Sequence, residues 1–487
     1  MKRILEPFFL VVLLGLLPGC TVGPAFHPPA VKAAAQWSSP LAGGETNNSA
    51  SVTVWWTNFN DPELVSLIER AVKSNLDLKI AAARVREARA QYGMTSADLW
   101  PSVEGSGSYE RQLQSQHQPI IGALPLPANV PFENNIYQAG FDATWEIDVF
   151  GGARRAVEAA GNDIAAAEYG RRAALVSLLG EVARYYVEAR GFQQRLAIAR
   201  QNIQAQQVVV ALARSRFKGG LTSELDVQQA AALLATTEAQ VPALETSFKE
   251  AAHRLGVLLG QPPGALLAEL SKEAPIPNTP PGVPVGLPSE LLRRRPDIQQ
   301  AERELAGATA RIGVAVADLY PKFSLTGDMG LQSVSAGDWF SPGSRFWSIG
   351  PTMQWKIFEA GRIRANIKAQ NAREEQALAH YEQTVLAAFE DVENALTAYA
   401  REQTRRQSLA EAVQANQQAL EMASQLYQSG LADFLRVLES QRSLYESQDA
   451  LAQSERSVVI NLIKLYKALG GGWESLAGEA VNAATKN

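Results

Sequence analysis

Residues 77–101 (DLKIAAARVREARAQYGMTSADLWP) and 297–321 (DIQQAERELAGATARIGVAVADLYP) repeat one another, without a gap, at an offset of 220. Nine positions are identical, among them Ala81/Ala301, Gly93/Gly313, Asp98/Asp318 and Pro101/Pro321. A spacing of about two hundred residues is far longer than the ~20–50-residue unit of a solenoid. It marks a duplicated half-molecule, so the fold has internal pseudo-symmetry. A chain of 487 residues would otherwise suggest about three domains. The duplication predicts one architecture made of two similar halves.

Each half joins very long helices to short alternating strands. Proline is absent from Phe132 to Val241 and again after Pro351. The stretch 152–217 is rich in Ala, Arg, Gln, Glu and Leu, which favour helix. Its counterpart is 360–427. At 1.5 Å per residue a helix of this length reaches about 100 Å, longer than a globular core, so the helices must pack side by side as coiled coils. Each ends in glycine, at Gly219-Gly220 and at Gly430, the residue suited to a left-handed helix stop. A returning helix follows in each half, over 222–259 and 432–469, and Pro242 should kink the first of them.

The strands read with period two. In 136–150, Tyr137, Phe141, Trp145, Ile147 and Val149 alternate with Gln138, Asp142, Thr144, Glu146 and Asp148. In 346–358, Trp347, Ile349, Met353, Trp355 and Ile357 alternate with Ser348, Thr352, Gln354 and Lys356. Stretches 322–332 and 102–111 do the same, the last most weakly. Alternation over about ten residues with aromatics near the ends is the pattern of an outer-membrane β-barrel strand. Trp100 and Tyr320 fall where an aromatic girdle would meet the interface. Trp145 and Trp355 suit either a girdle or mid-barrel packing. A soluble sandwich would also alternate, but it does not explain strands joined to 100 Å helices. Four strands cannot close, and an open edge cannot face lipid. The chain must therefore oligomerise: two chains give eight strands, three give twelve.

Composition excludes other classes. The net charge of −5 offers nothing to nucleic acid. Four scattered histidines show no ligand spacing, so neither a metal nor another cofactor is expected. No nucleophile–base arrangement or phosphate loop stands out, and an enzyme is not expected. The single cysteine, Cys20, rules out an intrachain disulfide. It follows a basic start (Lys2, Arg3), a short apolar run and Leu17-Pro18-Gly19, the layout of a secretory signal. This tetrapeptide resembles a bacterial lipobox, which implies a lipidated Cys20 and removal of residues 1–19. Thr21 in place of aspartate implies sorting to the outer membrane.

On these motifs the chain resembles the TolC-like outer-membrane efflux family, in its lipoprotein branch of OprM or NodT type. The specific stretches are the lipobox, RRPDIQQAERELAGATARIGVAVADLYPKFSLTG at 294–327, FKGGLTSELDV at 217–227 and SGLADFLRVLESQRSLYES at 429–447. The resemblance implies an α+β membrane protein: a homotrimer whose shared 12-strand β-barrel, four strands per chain, continues into a long periplasmic α-helical coiled-coil tunnel. It implies the exit duct of a tripartite efflux pump in the Gram-negative outer membrane. Its partners would be a periplasmic membrane-fusion adaptor and an inner-membrane efflux transporter of RND type. The rival reading, a lipid-anchored structural or adhesive surface coiled coil, leaves the four strands unexplained.

The resemblance also places sites. Adaptor contacts map to Gly219, Gly220, Leu221, Gly430 and Leu431. A periplasmic gate maps to Leu435, Arg436 and Glu439, where the family more often has aspartate at the last and, in some members, aspartate at the second. The alternation itself assigns Asp142, Glu146, Asp148, Lys322, Asp328 and Lys356 to the barrel lumen. The expected layout is a signal peptide at 1–19, a lipidated linker at 20–58 and a first repeat at 59–275. A second repeat at 276–472 and a tail at 473–487 complete it.

Overall fold

The structure is a computed structural model, and it describes residues 21–30, 34, 36–38, 45–46, 53–113, 115, 133–280 and 282–474. Its strands are β1 (Glu45–Thr46), β2 (Ser102–Leu113), β3 (Glu133–Ile147), β4 (Val283–Pro284), β5 (Lys322–Ser333) and β6 (Arg345–Gln354). Its helices are α1 (Pro62–Ser74), α2 (Leu76–Ala97), α3 (Gly152–Lys218), α4 (Glu224–Glu238) and α5 (Gln240–Leu258). They continue with α6 (Leu267–Leu270), α7 (Pro288–Arg294), α8 (Pro296–Ala317), α9 (Arg362–Gln428) and α10 (Phe434–Ala468). Both long helices run unbroken for 67 residues. Among the described residues, no helix is long and apolar enough to cross a membrane.

Local chemistry explains the boundaries. Asp61 accepts hydrogen bonds from the amides of Glu63 and Leu64 at 2.9 and 3.1 Å, and Pro62 opens α1, the usual start of a helix. The first returning helix breaks into α4 and α5 at Ala239. Pro242 lies three residues on; it has no amide to offer the Glu238 carbonyl and its ring crowds that turn. Strand β3 ends at Ile147, where alternation alone extends it to 150, because Val149 folds back onto the Ile147 carbonyl at 2.8 Å. Strand β6 ends at Gln354, where alternation extends it to 358.

The chain forms two compact units, and neither coincides with one sequence repeat. The first joins residues up to Pro29 with Arg86–Ala166 and Glu302–His380. Its core is an antiparallel sheet in the order β2-β3-β5-β6, so strands of both repeats pair with each other. One face carries exposed Val103, Phe141, Met329, Trp347, Ile349 and Met353. At one end of the sheet Tyr109 and Tyr137 pack with centroids 5.0 Å apart, and Trp339 lies 6.0 Å beyond. At the other end, Trp145 Nε1 donates to the Leu99 carbonyl at 3.0 Å and Trp355 Nε1 to the Leu319 carbonyl at 3.1 Å. The two tryptophans therefore mark the foot of the sheet, where α2 and α8 end. Tyr137 and Trp145 share a face eight residues apart, about 27 Å before tilt, close to the roughly 25 Å apolar band of a barrel.

The second unit spans Ala30–Val85, Ala167–Ala301 and Tyr381–Asn487. Its main core gathers Trp55, Phe59, Leu64 and Leu67 with Leu179, Val182 and Tyr186, Leu255 and Leu259, Leu396 and Tyr399, and Leu462 and Tyr466. Burying each large side chain contributes about 1.5–3 kcal/mol. Arg190 is fully buried and binds Glu63, Gln193 and the Lys272 carbonyl, which ties the proline-rich stretch 262–288 to α1 and α3. Strand β1 pairs in parallel with β4 in a separate two-stranded sheet.

Candidate functional site

The sheet has one polar face, and its register sets what lies together there. Glu104 stands opposite Asp142, Asp142 opposite Asp328, and Asp328 opposite Ser348. Three carboxylates thus form one row across three strands. Ser106 donates to Asp142 at 3.3 Å and Ser348 donates to Asp328. Like charges directly opposite destabilise a sheet, so such a row persists where water reaches it. Among the described residues no group of three His, Cys, Asp or Glu side chains is placed to hold a metal. Nearer the foot, Lys322 lies 3.8 Å from Glu146 and 3.5 Å from Asp318, which offsets charge locally.

Two residues assigned to the lumen by alternation lie outside the strands. Asp148 follows β3 and accepts from the Arg154 amide at 2.8 Å and from its guanidinium at 3.1 Å, bracing the start of α3. Lys356 follows β6 and approaches Glu359 at 3.9 Å. The strands stop early because these charges serve the turn into each long helix. Glu104 also belongs to the polar face, although alternation does not single it out, because β2 has too few apolar residues for its faces to stand out.

The tips of the two hairpins are near copies. Gly220 and Gly430 adopt left-handed φ of 72° and 73°. The amides of Leu221 and Leu431 reach back to the carbonyls of Arg216 and Leu426 at 2.8 Å each. This is the Schellman helix stop, in which the residue after the glycine usually packs on the last helical turn. Here both leucines face out instead, Leu221 74% and Leu431 76% exposed. Leu225 and Leu435, equivalent at an offset of 210, are exposed beside them. Leu225 is legible from the duplication itself, once Leu435 is singled out. Ser223 and Asp433 cap the returning helices by accepting from the amides of Asp226 and Arg436 at 3.4 and 3.2 Å.

Arg436 and Glu439 lie 3.7 Å apart on one exposed face of α10, and Leu435 shares that region. A contact not visible in the sequence joins the hairpins. The Arg216 guanidinium sits 4.4 Å over the Tyr427 ring and donates to the Tyr427 carbonyl at 3.4 Å. Beneath it Val210, Ala213, Val227, Phe434, Val437 and Leu438 form a small core shared by both hairpins. Cys20 and the rest of the signal region lie outside the described residues.

Comparison with known proteins agrees with this geometry. The family described as outer membrane efflux protein matches residues 67–261 and again 287–471, once per repeat. The chain is 32% identical over 480 residues to Nodulation protein T of Rhizobium leguminosarum bv. trifolii, covering 98% of each chain. It is 34% identical over 461 residues to the pyoverdine export outer membrane protein OpmQ of Pseudomonas aeruginosa, covering 94% of this chain and 95% of that one. Among solved structures it is similar to the outer-membrane channel OprN, with a TM-score of 0.87 and 37% identity over 93% of this chain and 100% of that one. It is also similar to the Neisseria gonorrhoeae MtrE outer membrane channel, with a TM-score of 0.82 and 28% identity over 93% of this chain and 99% of that one. Four strands with one polar and one apolar face, two long helical hairpins and a match in each repeat lead to one conclusion: this chain belongs to the outer membrane efflux protein family and is the outer-membrane channel component of an efflux pump.

Proposed function

We propose that three copies of the chain close their sheets into one 12-strand barrel with the polar face inward. The observation that carries this is the sheet itself. Among the described residues β2 and β6 are edges with no partner strand, while one face bears exposed tryptophan, isoleucine and methionine. Lipid accepts the apolar face but not two rows of bare amides and carbonyls. An eight-strand barrel made by two copies would be filled by its own side chains, whereas a wider one holds water. Twelve strands meet the need of an exit duct.

In the same reading the exposed leucines and the glycine turns, Gly219, Gly220, Leu221, Gly430 and Leu431, receive the periplasmic adaptor. Leu435, Arg436 and Glu439 form the periplasmic gate, and the inner-membrane transporter is of RND type. Cys20 carries the lipid. The cargo is drugs or other small organic molecules, in keeping with relatives named for pyoverdine export and solvent efflux. Purified protein in a planar bilayer tests the closure. The expected result is a trimer by mass with discrete single-channel steps; a dimer, or a trimer without conductance, overturns it.

A further inference from the structure

We propose that the residues just after Cys20 are a built-in clasp that seats the lipid-bearing end of the chain at the foot of the sheet. The proposal rests on the reading that Cys20 is lipidated. The Val22 amide donates to the Phe150 carbonyl at 3.1 Å, at the corner where the chain turns from β3 into α3. Arg155, on the first turn of α3, donates to the Val22 carbonyl at 3.2 Å and the Gly23 carbonyl at 3.4 Å. Its side chain is only 10% exposed and also pairs with Glu158 at 2.8 Å. Farther along, the Arg303 guanidinium lies 5.8 Å from the Phe26 ring.

Glycines make this seat. A Cβ on Gly23 would fall 2.4 Å from the Gly313 Cα, and a Cβ on Gly151 would fall 2.5 Å from Thr21 Cγ2. A Cβ on Gly313 would fall 2.9 Å from Arg155 Cγ. Gly23 and Gly151 also have φ of 90° and 80°, which L side chains rarely adopt. Among the described residues the second copy of the motif has no such seat. Gly93, the partner of Gly313 in the repeat, and Gly361, the partner of Gly151, have nothing within 4 Å of a built Cβ. Ala365 stands where Arg155 would be. One chain has one N-terminus, and among the described residues one repeat is built to hold it. Thr21 packs against Gly151 at the turn from β3 into α3, so in this proposal an acyl chain on Cys20 starts at the foot of the sheet.

The test compares full-length wild type with Arg155→Ala, Arg155→Lys and Gly313→Val, and with Gly93→Val as the control in the other repeat. Peptide mass gives the acylation state of Cys20, and hydrogen exchange gives protection of the Val22 amide. Cells fed a photoreactive palmitate analogue report which peptides the acyl chain touches. Wild type should protect Val22 and crosslink to the peptide carrying Phe150. Arg155→Ala should speed Val22 exchange by about tenfold or more, as expected for losing bonds to a charged donor, and scatter the crosslinks with Cys20 still acylated. Arg155→Lys should fall between, and Gly93→Val should match wild type. If Gly313→Val fails to fold, the arginine variants still decide. Val22 exchanging at the free-peptide rate in wild type, or unchanged exchange in Arg155→Ala, overturns the clasp; a free thiol at Cys20 overturns the anchor reading beneath it.

Discussion

Arg436 and Glu439 hold each other across a single helical turn in full view of solvent, a setting in which an ion pair is worth about 0–1 kcal/mol. Their removal should therefore leave folding and assembly intact and change only what passes. Glu439→Ala is expected to alter resting conductance and its block by divalent cations while the oligomer survives. Wild-type conductance with unchanged block would make Glu439 an ordinary surface carboxylate. Arg216 differs because it links two hairpins through the Tyr427 ring and carbonyl. Arg216→Ala should raise resting conductance by loosening the tips, measured in the same bilayer. In the main core of the second unit, burial pushes the hydroxyl of Tyr186 well above the usual phenol range and raises that of Tyr466. The folded state holds those protons more tightly than the unfolded chain, so stability is full below about pH 10 and falls as pH rises further. Thermal melts between about pH 9 and 12 check the sign; a melting temperature that rises with pH would contradict it.

At the scale of elements, the hairpin tips turn a generic helix stop into a surface. The glycine closes the helix, and the leucine that would ordinarily pack on it is left outside at Leu221 and Leu431. Two clusters of exposed leucine on rigid ends suit recognition by apolar contact. Leu221→Asp with Leu431→Asp should abolish efflux in cells, read as restored drug sensitivity, while the protein still reaches the outer membrane as an oligomer. Sensitivity equal to wild type would remove these leucines from the adaptor contact. Substituting alanine for Gly430 should destabilise its tip by about 1 kcal/mol, since the left-handed backbone is costly for an L residue.

For the whole molecule, the row Glu104–Asp142–Asp328 matters more than the sum of charged residues on the polar face. Three carboxylates per chain in one register row would become nine in a trimer. Asp148 is committed to Arg154, and Lys322 offsets Glu146. The channel should thus prefer cations modestly, and the preference should reside in the row. Glu104→Gln with Asp142→Asn and Asp328→Asn should move the reversal potential in a salt gradient toward the unselective value. Anion preference in the wild type would place the polar face elsewhere than in the lumen.

The sequence alone determined the duplication, the helix stops at Gly220 and Gly430, the break near Pro242 and the alternating faces, because each rests on a local rule of backbone geometry or period. It also marked the family, since the motifs at the tips and helix–strand junctions are contiguous stretches. Alternation runs a few residues past the strand ends at Ile147 and Gln354, because it continues into turns whose charges serve the next helix. What only the tertiary structure decided was register and close approach. Nothing in the order of residues says that Asp142 faces both Glu104 and Asp328, that Arg216 lies over Tyr427, or that Gly313 receives Gly23 where Gly93 receives no neighbour. These pairs lie tens to hundreds of residues apart in the chain, and which of them meet depends on how whole elements pack, a global minimum that no local pattern encodes.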